Sequence, residues 1–188
     1  EDDTAIVRHA IAASTGPLIV AGHSYGGFVM SEATAGASNV RALVFVAAFA
    51  LDEGESIGAV TAAYPTTPAV ANITVDDQGN ASIEASAFVS YFAPDIPSSQ
   101  AQVLAAVQHP IAVSVLSTAA GTPGWKTIPS YYQISLDDQA IDPDLQSMFA
   151  ERMGAETIRL RSSHVSMLSQ PAAIAELIER AAVAQGKR

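Results

Sequence analysis

Ser24 stands in Gly22-His23-Ser24-Tyr25-Gly26-Gly27, between the apolar run Pro17-Leu18-Ile19-Val20-Ala21 and the helix-forming stretch Phe28-Val29-Met30-Ser31-Glu32-Ala33. Gly-x-Ser-x-Gly alone is common by chance, but a strand before it and a helix after it make it a nucleophile elbow. Such a turn strains the serine and lifts its hydroxyl above the carboxyl edge of a sheet. Gly22 and Gly26 are expected to let backbone pass where a Cβ would clash. The N–H groups opening the following helix favour negative charge on a substrate oxygen. A serine hydroxyl reacts only when a base takes its proton and a third group fixes that base. His164, in Ser162-Ser163-His164-Val165-Ser166-Met167-Leu168, is the candidate base. Asp137 and Asp138, after Ser135-Leu136, are the candidate carboxylates. One helix–strand unit separates the acid from the histidine, so both loops are expected at the same sheet edge as Ser24.

The elements that must position these groups follow from pattern. Asp2 and Asp3 are read as caps of a first helix whose apolar face is Ile6, Val7, Ala10 and Ile11. Thr15-Gly16-Pro17 ends it, and Gly36 and Asn39 close the helix after the elbow. Arg41 to Phe49 reads as a strand buried on both faces, which between helices implies a parallel α/β sheet. From Leu51 to about Leu116 prolines punctuate short segments, and residues 52–116 are read as a cap inserted into a single domain spanning 1–188. Within it, Asn72 to Ile83 reads as a hairpin around Asp76-Asp77-Gln78-Gly79-Asn80. Ser98 to Gln108 reads as a helix with Val103, Leu104 and Val107 on one side. Ile128 to Ser135 reads as a strand, Asp142 to Met153 as a helix that Asp142 and Asp144 help to start, Thr157 to Leu160 as a strand, and Ile174 to Val183 as a closing amphipathic helix. Trp125 is assigned to packing, His23 to a packed position beneath the elbow, and His9 and His109 to structural or surface positions.

Composition narrows the function classes. The chain has 188 residues, 49% of them hydrophobic, which suits one domain with a substantial core. With 19 acidic against 9 basic residues the net charge is −10, which disfavours nucleic acid and anionic membranes. No apolar run reaches the ~18–20 residues of a membrane span. Cysteine is absent and the 4 histidines are scattered without ligand spacing, so neither a thiol nucleophile nor a metal site is expected. No cofactor is expected. A small-molecule ester is the expected partner, homo-oligomerisation is left open, and a cytoplasmic location is the default expectation. The apolar composition of the cap suggests uncharged substrates.

These motifs together resemble the α/β-hydrolase superfamily, and within it the branch of small esterases, plant methylesterases and hydroxynitrile lyases. The elbow Gly22 to Gly27, the acid loop Asp138-Gln139-Ala140-Ile141-Asp142-Pro143-Asp144-Leu145-Gln146 and the histidine loop His164 to Pro171 carry the resemblance. It implies Ser24 as nucleophile, His164 as general base and then acid, Asp138 as its orienter, and the Tyr25 amide N–H as an oxyanion donor. Asp137 competes for the acid role, as does Asp52, because this fold sometimes carries its acid there. Lyases of the branch place a lysine directly after the histidine. Val165 stands there, so ester hydrolysis is favoured over cyanide release. A non-catalytic binding or signalling protein of this fold is the alternative, along with C–C hydrolysis or perhydrolysis. The family's opening strands, with a loop supplying a second oxyanion N–H, do not precede Ser24. The expectation is therefore an N-terminally incomplete copy with its elbow strand exposed as an edge.

Overall fold

The computed structural model describes residues 2–186. Four parallel strands form the main sheet: β1 (Leu18–His23), β2 (Val40–Val46), β6 (Ser130–Ser135) and β7 (Glu156–Leu160), side by side in that order. The intervening β3 (Ile73–Val75), β4 (Asn80–Ile83) and β5 (Ile111–Ala112) make a separate antiparallel sheet. Among the described residues β1 pairs only with β2 and is an edge strand, half-buried along most of its length.

Strand alternation divides the core. Leu43 and Phe45 of β2, with Tyr132 and Ile134 of β6, face a layer containing Ile11, Phe28, Leu145 and Phe149. Ala42, Val44 and Val46, with Tyr131, face Ile174, Leu177 and Ala181. The first layer comes from α1 (Asp2–Ala13), α2 (Tyr25–Ala33) and α6 (Pro143–Met153). The second comes from α8 (Pro171–Gly186), which follows the short α7 (Ser166–Ser169) and whose buried residues recur at helical spacing. Because β2 is buried on both faces, its near-continuous apolar sequence is what a central parallel strand requires.

Between β2 and β6 the chain makes an excursion containing α3 (Ile57–Thr61), the second sheet, α4 (Ala85–Ala87), a π-helical turn Phe88–Phe92, and α5 (Ser98–Val107). The hairpin forms as read, with Asp76 accepting the N–H groups of Gln78 and Asn80 across its turn. The excursion has its own apolar cluster of Phe88, Ala93, Ile96, Ala101 and Ala105, and Val165 of the main body completes it. It is also anchored at its base. Arg152 donates to both oxygens of Glu55 and to the Ala50 carbonyl, and Lys126 pairs with Asp52.

Several helix faces differ from their sequence pattern. In α1 the buried side is Val7 and Ile11, whereas Ile6 is 68% exposed and Ala10 is also exposed. Asp2 and Asp3 lie inside the first turn, and Asp3 accepts the Tyr25 hydroxyl at 2.9 Å. The residue ahead of Asp2 lies outside the described residues. In α5 the buried residues are Ala101 and Ala105, while Val103 and Val107 face outward. In α5 small alanines allow closer approach than the branched side chains beside them, so packing selected the alanine face; in α1 the branched Val7 and Ile11 reach the core and the alanine faces out. The closing helix starts three residues earlier than its apolar pattern, at Pro171, where the missing N–H costs nothing.

Candidate active site

The carboxyl ends of β1, β6 and β7 open on one edge of the main sheet, and the loops leaving them carry Ser24, Asp138 and His164. Ser24 has φ 53° and ψ −125°, a left-handed backbone that non-glycine residues avoid. Its neighbours hold it there. The Ser24 N–H donates to Val46 O at 3.3 Å, and the Ser24 carbonyl accepts from the N–H groups of Gly27 and Phe49, each at 3.1 Å. A Cβ on Gly22 would fall 2.6 Å from the Gly26 carbonyl oxygen. One on Gly27 would fall 2.7 Å from both the Ala48 Cβ and the Phe49 oxygen. The expectation for Gly22 therefore stands, but the second close approach belongs to Gly27, since a Cβ on Gly26 would meet open space. Tyr25 is the first residue of α2, so its N–H precedes the helical hydrogen-bond ladder and is available to an external acceptor.

Asp138 is the acid that the fold brings to the histidine. His164 Nδ1 lies 2.7 Å from Asp138 Oδ2, with both side chains buried. Oδ2 also accepts from Gln146 Nε2 at 2.8 Å, and Oδ1 accepts the N–H groups of Ala140 and Ile141 at 2.7 and 3.0 Å. A carboxylate ringed by donors is acceptor-only, so the hydrogen of the His164 contact sits on Nδ1. Nε2 is thereby left with its lone pair. Asp137 is exposed, and its backbone N–H donates to Ser162 O. Asp52 is engaged by Lys126, whose hydrogen bond holds its carboxyl below the usual range. Neither competitor touches His164 in these contacts. Gln146 was not singled out as a functional residue from sequence, although it closes the acid-loop motif.

A further layer surrounds the imidazole. His23 Nε2 donates to the His164 carbonyl at 2.8 Å, and the two rings lie 4.5 Å apart. Burial, and then the charge that His164 can carry, push the His23 pKa down to about 3, so this ring stays neutral. Phe92, from the π-helical turn, meets the His164 ring edge-on at 4.7 Å. Beneath the loop, Ser166 donates to Gln133, Gln133 donates to Ser135, and Ser135 shares a hydrogen with Ser162. Buried polar groups at the end of β6 are therefore paired rather than orphaned. Tyr25 lies on the other side, where burial and then the Asp3 hydrogen bond push its phenol up to about 12.

Ser24 and His164 line one cavity of about 370 Å³. Its walls include Phe49, Ile57, Tyr64, Phe92, Leu116 and Leu145, so the main body and the excursion both contribute. Asp142, whose carboxylate accepts the Asp144 N–H at the start of α6, is among the lining residues, and none of the described lysines or arginines is. Trp125 is buried away from the cavity, with its indole N–H on Leu51 O at 2.9 Å. His9 and His109 are exposed. Among the described residues no cluster of acidic, histidine or cysteine side chains is arranged to hold a metal ion, and no helix is long and apolar enough to cross a membrane.

Comparison with known proteins follows the same lines. The chain is 27% identical to "Alpha/beta hydrolase nvfD" of Aspergillus novofumigatus (strain IBT 16806), over 96% of this chain and 77% of that protein. Among solved structures it is similar to a pyrethroid hydrolase from Sphingobium faniae JZ-2, with a TM-score of 0.78 and 22% identity, covering 98% of this chain and 78% of that one. It is also similar to polyneuridine aldehyde esterase, with a TM-score of 0.77 and 14% identity, over 94% and 77% of the two chains. The model of the alpha/beta hydrolase family matches residues 1–177, and with the parallel sheet and the strained serine turn already described, the chain belongs to that family.

Proposed function

We propose that the protein is a serine hydrolase that cleaves uncharged carboxylic esters through an acyl-serine intermediate. The observation that carries this reading is the His164 ring, tied through Nδ1 to a buried carboxylate, on the same cavity as a serine held at φ 53°. In this reading His164 Nε2 takes the Ser24 proton as Oγ attacks the ester carbonyl, and Asp138 steadies the imidazolium that forms. The Tyr25 N–H donates to the developing oxyanion. His164 returns its proton to the departing alcohol, and water then repeats the sequence on the acyl-enzyme.

The excursion between β2 and β6 acts as a cap that supplies much of the cavity wall. Largely apolar walls that include Asp142 favour neutral esters with an apolar group and disfavour carboxylate-bearing ones. The names of the similar structures, a pyrethroid hydrolase and an esterase, are in keeping with ester cleavage.

Ser24→Ala tests the assignment. It should lower p-nitrophenyl acetate turnover by roughly 10³-fold or more with the circular dichroism spectrum unchanged. A fluorophosphonate probe should label the wild-type chain and leave the variant dark. Turnover retained by Ser24→Ala would exclude the mechanism, and a wild-type chain that stays unlabelled would favour a non-catalytic binding protein of the same fold.

A further inference from the structure

Asp138 orients the His164 ring, but the position of the ring also depends on the backbone that carries it. That backbone is tied to the excursion by one side chain. Asp95 follows the π-helical turn and precedes α5. Its Oδ2 accepts the Ser163 N–H at 2.7 Å, and its Oδ1 accepts the Ser163 hydroxyl at 2.5 Å. The Ser163 oxygen in turn accepts the Val165 N–H at 3.3 Å. The residues on both sides of His164 are therefore linked to a single carboxylate that belongs to neither the elbow nor the acid loop. Ser163 is buried, while Asp95 sits at the protein surface.

We propose that Asp95 is a positioning residue for His164, through which the excursion sets the imidazole relative to Ser24. The inference rests on the serine-hydrolase reading. Its physical basis is the paired contact: two oxygens of one ionised group on the N–H and O–H of one residue fix that residue's orientation as well as its distance. Burial opposes ionisation of Asp95, but hydrogen bonds, those from the Ser163 hydroxyl and amide the largest among them, outweigh it and hold the carboxyl below its usual range. At neutral pH the clamp is thus charged, and charge-assisted bonds are stronger than neutral ones. Reacting groups displaced by about 1 Å lose up to ~10²-fold in rate, so a small slip of this loop is costly to turnover. Packing of Val165 against Phe88, Ala93 and Ile96 joins the same two segments without charge. The experiment must therefore separate the carboxylate from the packing.

Asp95→Asn does so, because it keeps the side-chain volume, removes the charge and leaves one oxygen where two accept from Ser163. The full chain, Asp95→Asn, Ser163→Ala and the double variant are assayed with p-nitrophenyl acetate, and rates are expressed per Ser24 titrated with fluorophosphonate. The expected result is a fall in kcat per titrated serine of roughly tenfold or more in Asp95→Asn, with KM within about twofold of wild type. The double variant should be no worse than the poorer single one, since both act through one contact. Unchanged kcat in Asp95→Asn overturns the proposal. So does additive loss in the double variant, or activity that falls only as the number of titratable serines falls. Should Asp95→Asn fail to fold, an unaltered kcat in Ser163→Ala, which removes the hydroxyl arm alone, overturns it equally. A wild-type chain that neither turns over ester nor labels refutes the hydrolase reading itself, and the positioning role with it.

Discussion

At Asp138 four donors crowd two oxygens, from Ala140, Ile141, Gln146 and His164. This crowding keeps the His164 proton on Nδ1 and leaves Nε2 as the proton acceptor. His23 contributes from behind, as a ring that donates to the His164 carbonyl and resists taking a charge of its own. That resistance has a measurable sign. An unfolded chain protonates His23 near its ordinary 6.5, whereas the folded chain waits until about 3, so the unfolded state binds more protons between those values. Stability is therefore fully present above 6.5 and lost as the pH falls, at up to about 1.4 kcal/mol per pH unit. His23→Gln retains an N–H for the carbonyl but does not titrate. Urea unfolding of the two proteins from about pH 7 to pH 4 should give a flatter profile for the variant, and parallel profiles would show that His23 is not buried in the neutral form. Much of this residue-level detail was legible beforehand. Ser24 and His164 stand in local motifs, and Asp138 is marked by the Pro143 and Gln146 that follow it. The roles of Phe92 and Asp95 were not legible, because nothing in their own surroundings indicates that the excursion folds back against residues 163–165.

Among the elements, α2 lies close against the backbone that follows β2. Gly27 packs where a methyl group would sit 2.7 Å from the Phe49 oxygen, and that oxygen belongs to backbone which cannot simply rotate away. Gly27→Ala should lower unfolding free energy by about 1–3 kcal/mol. Gly26→Ala, pointing into open space on the same helix, should be neutral or stabilising by up to ~1 kcal/mol. Chemical denaturation of the pair measures both, and equal effects would mean that the elbow packs differently. Sequence pattern located every strand but the two-residue β5 and the five α-helices of nine residues or more, while the shorter helices went unread; it also misassigned the buried faces of α1 and α5. Hydrophobic periodicity ranks side chains by size and polarity, whereas Ala101 and Ala105 are buried because their smallness admits a close neighbour. In an alanine-rich chain that preference is invisible until the partner segment is known.

For the molecule as a whole, charge and cavity act in the same direction. A net charge of −10 surrounds a cavity whose lining includes Asp142 and, among the described residues, no lysine or arginine. Between two esters matched in size, one neutral and one bearing a carboxylate, kcat/KM should favour the neutral ester by roughly tenfold or more at low salt. Added salt should narrow the gap by screening the repulsion. A gap that ignores ionic strength would place the discrimination in shape rather than charge. Reactivity also draws on the stability of the entire chain. A non-glycine backbone held at φ 53° costs about 1–3 kcal/mol, while domains of this kind are typically stable by only about 5–15 kcal/mol in total. Ser24 thus spends a visible share of the margin against unfolding, and random mutation that relaxes this turn would be welcomed by thermodynamics. On the hydrolase reading proposed above, selection for turnover is what keeps the polypeptide in its tenser form.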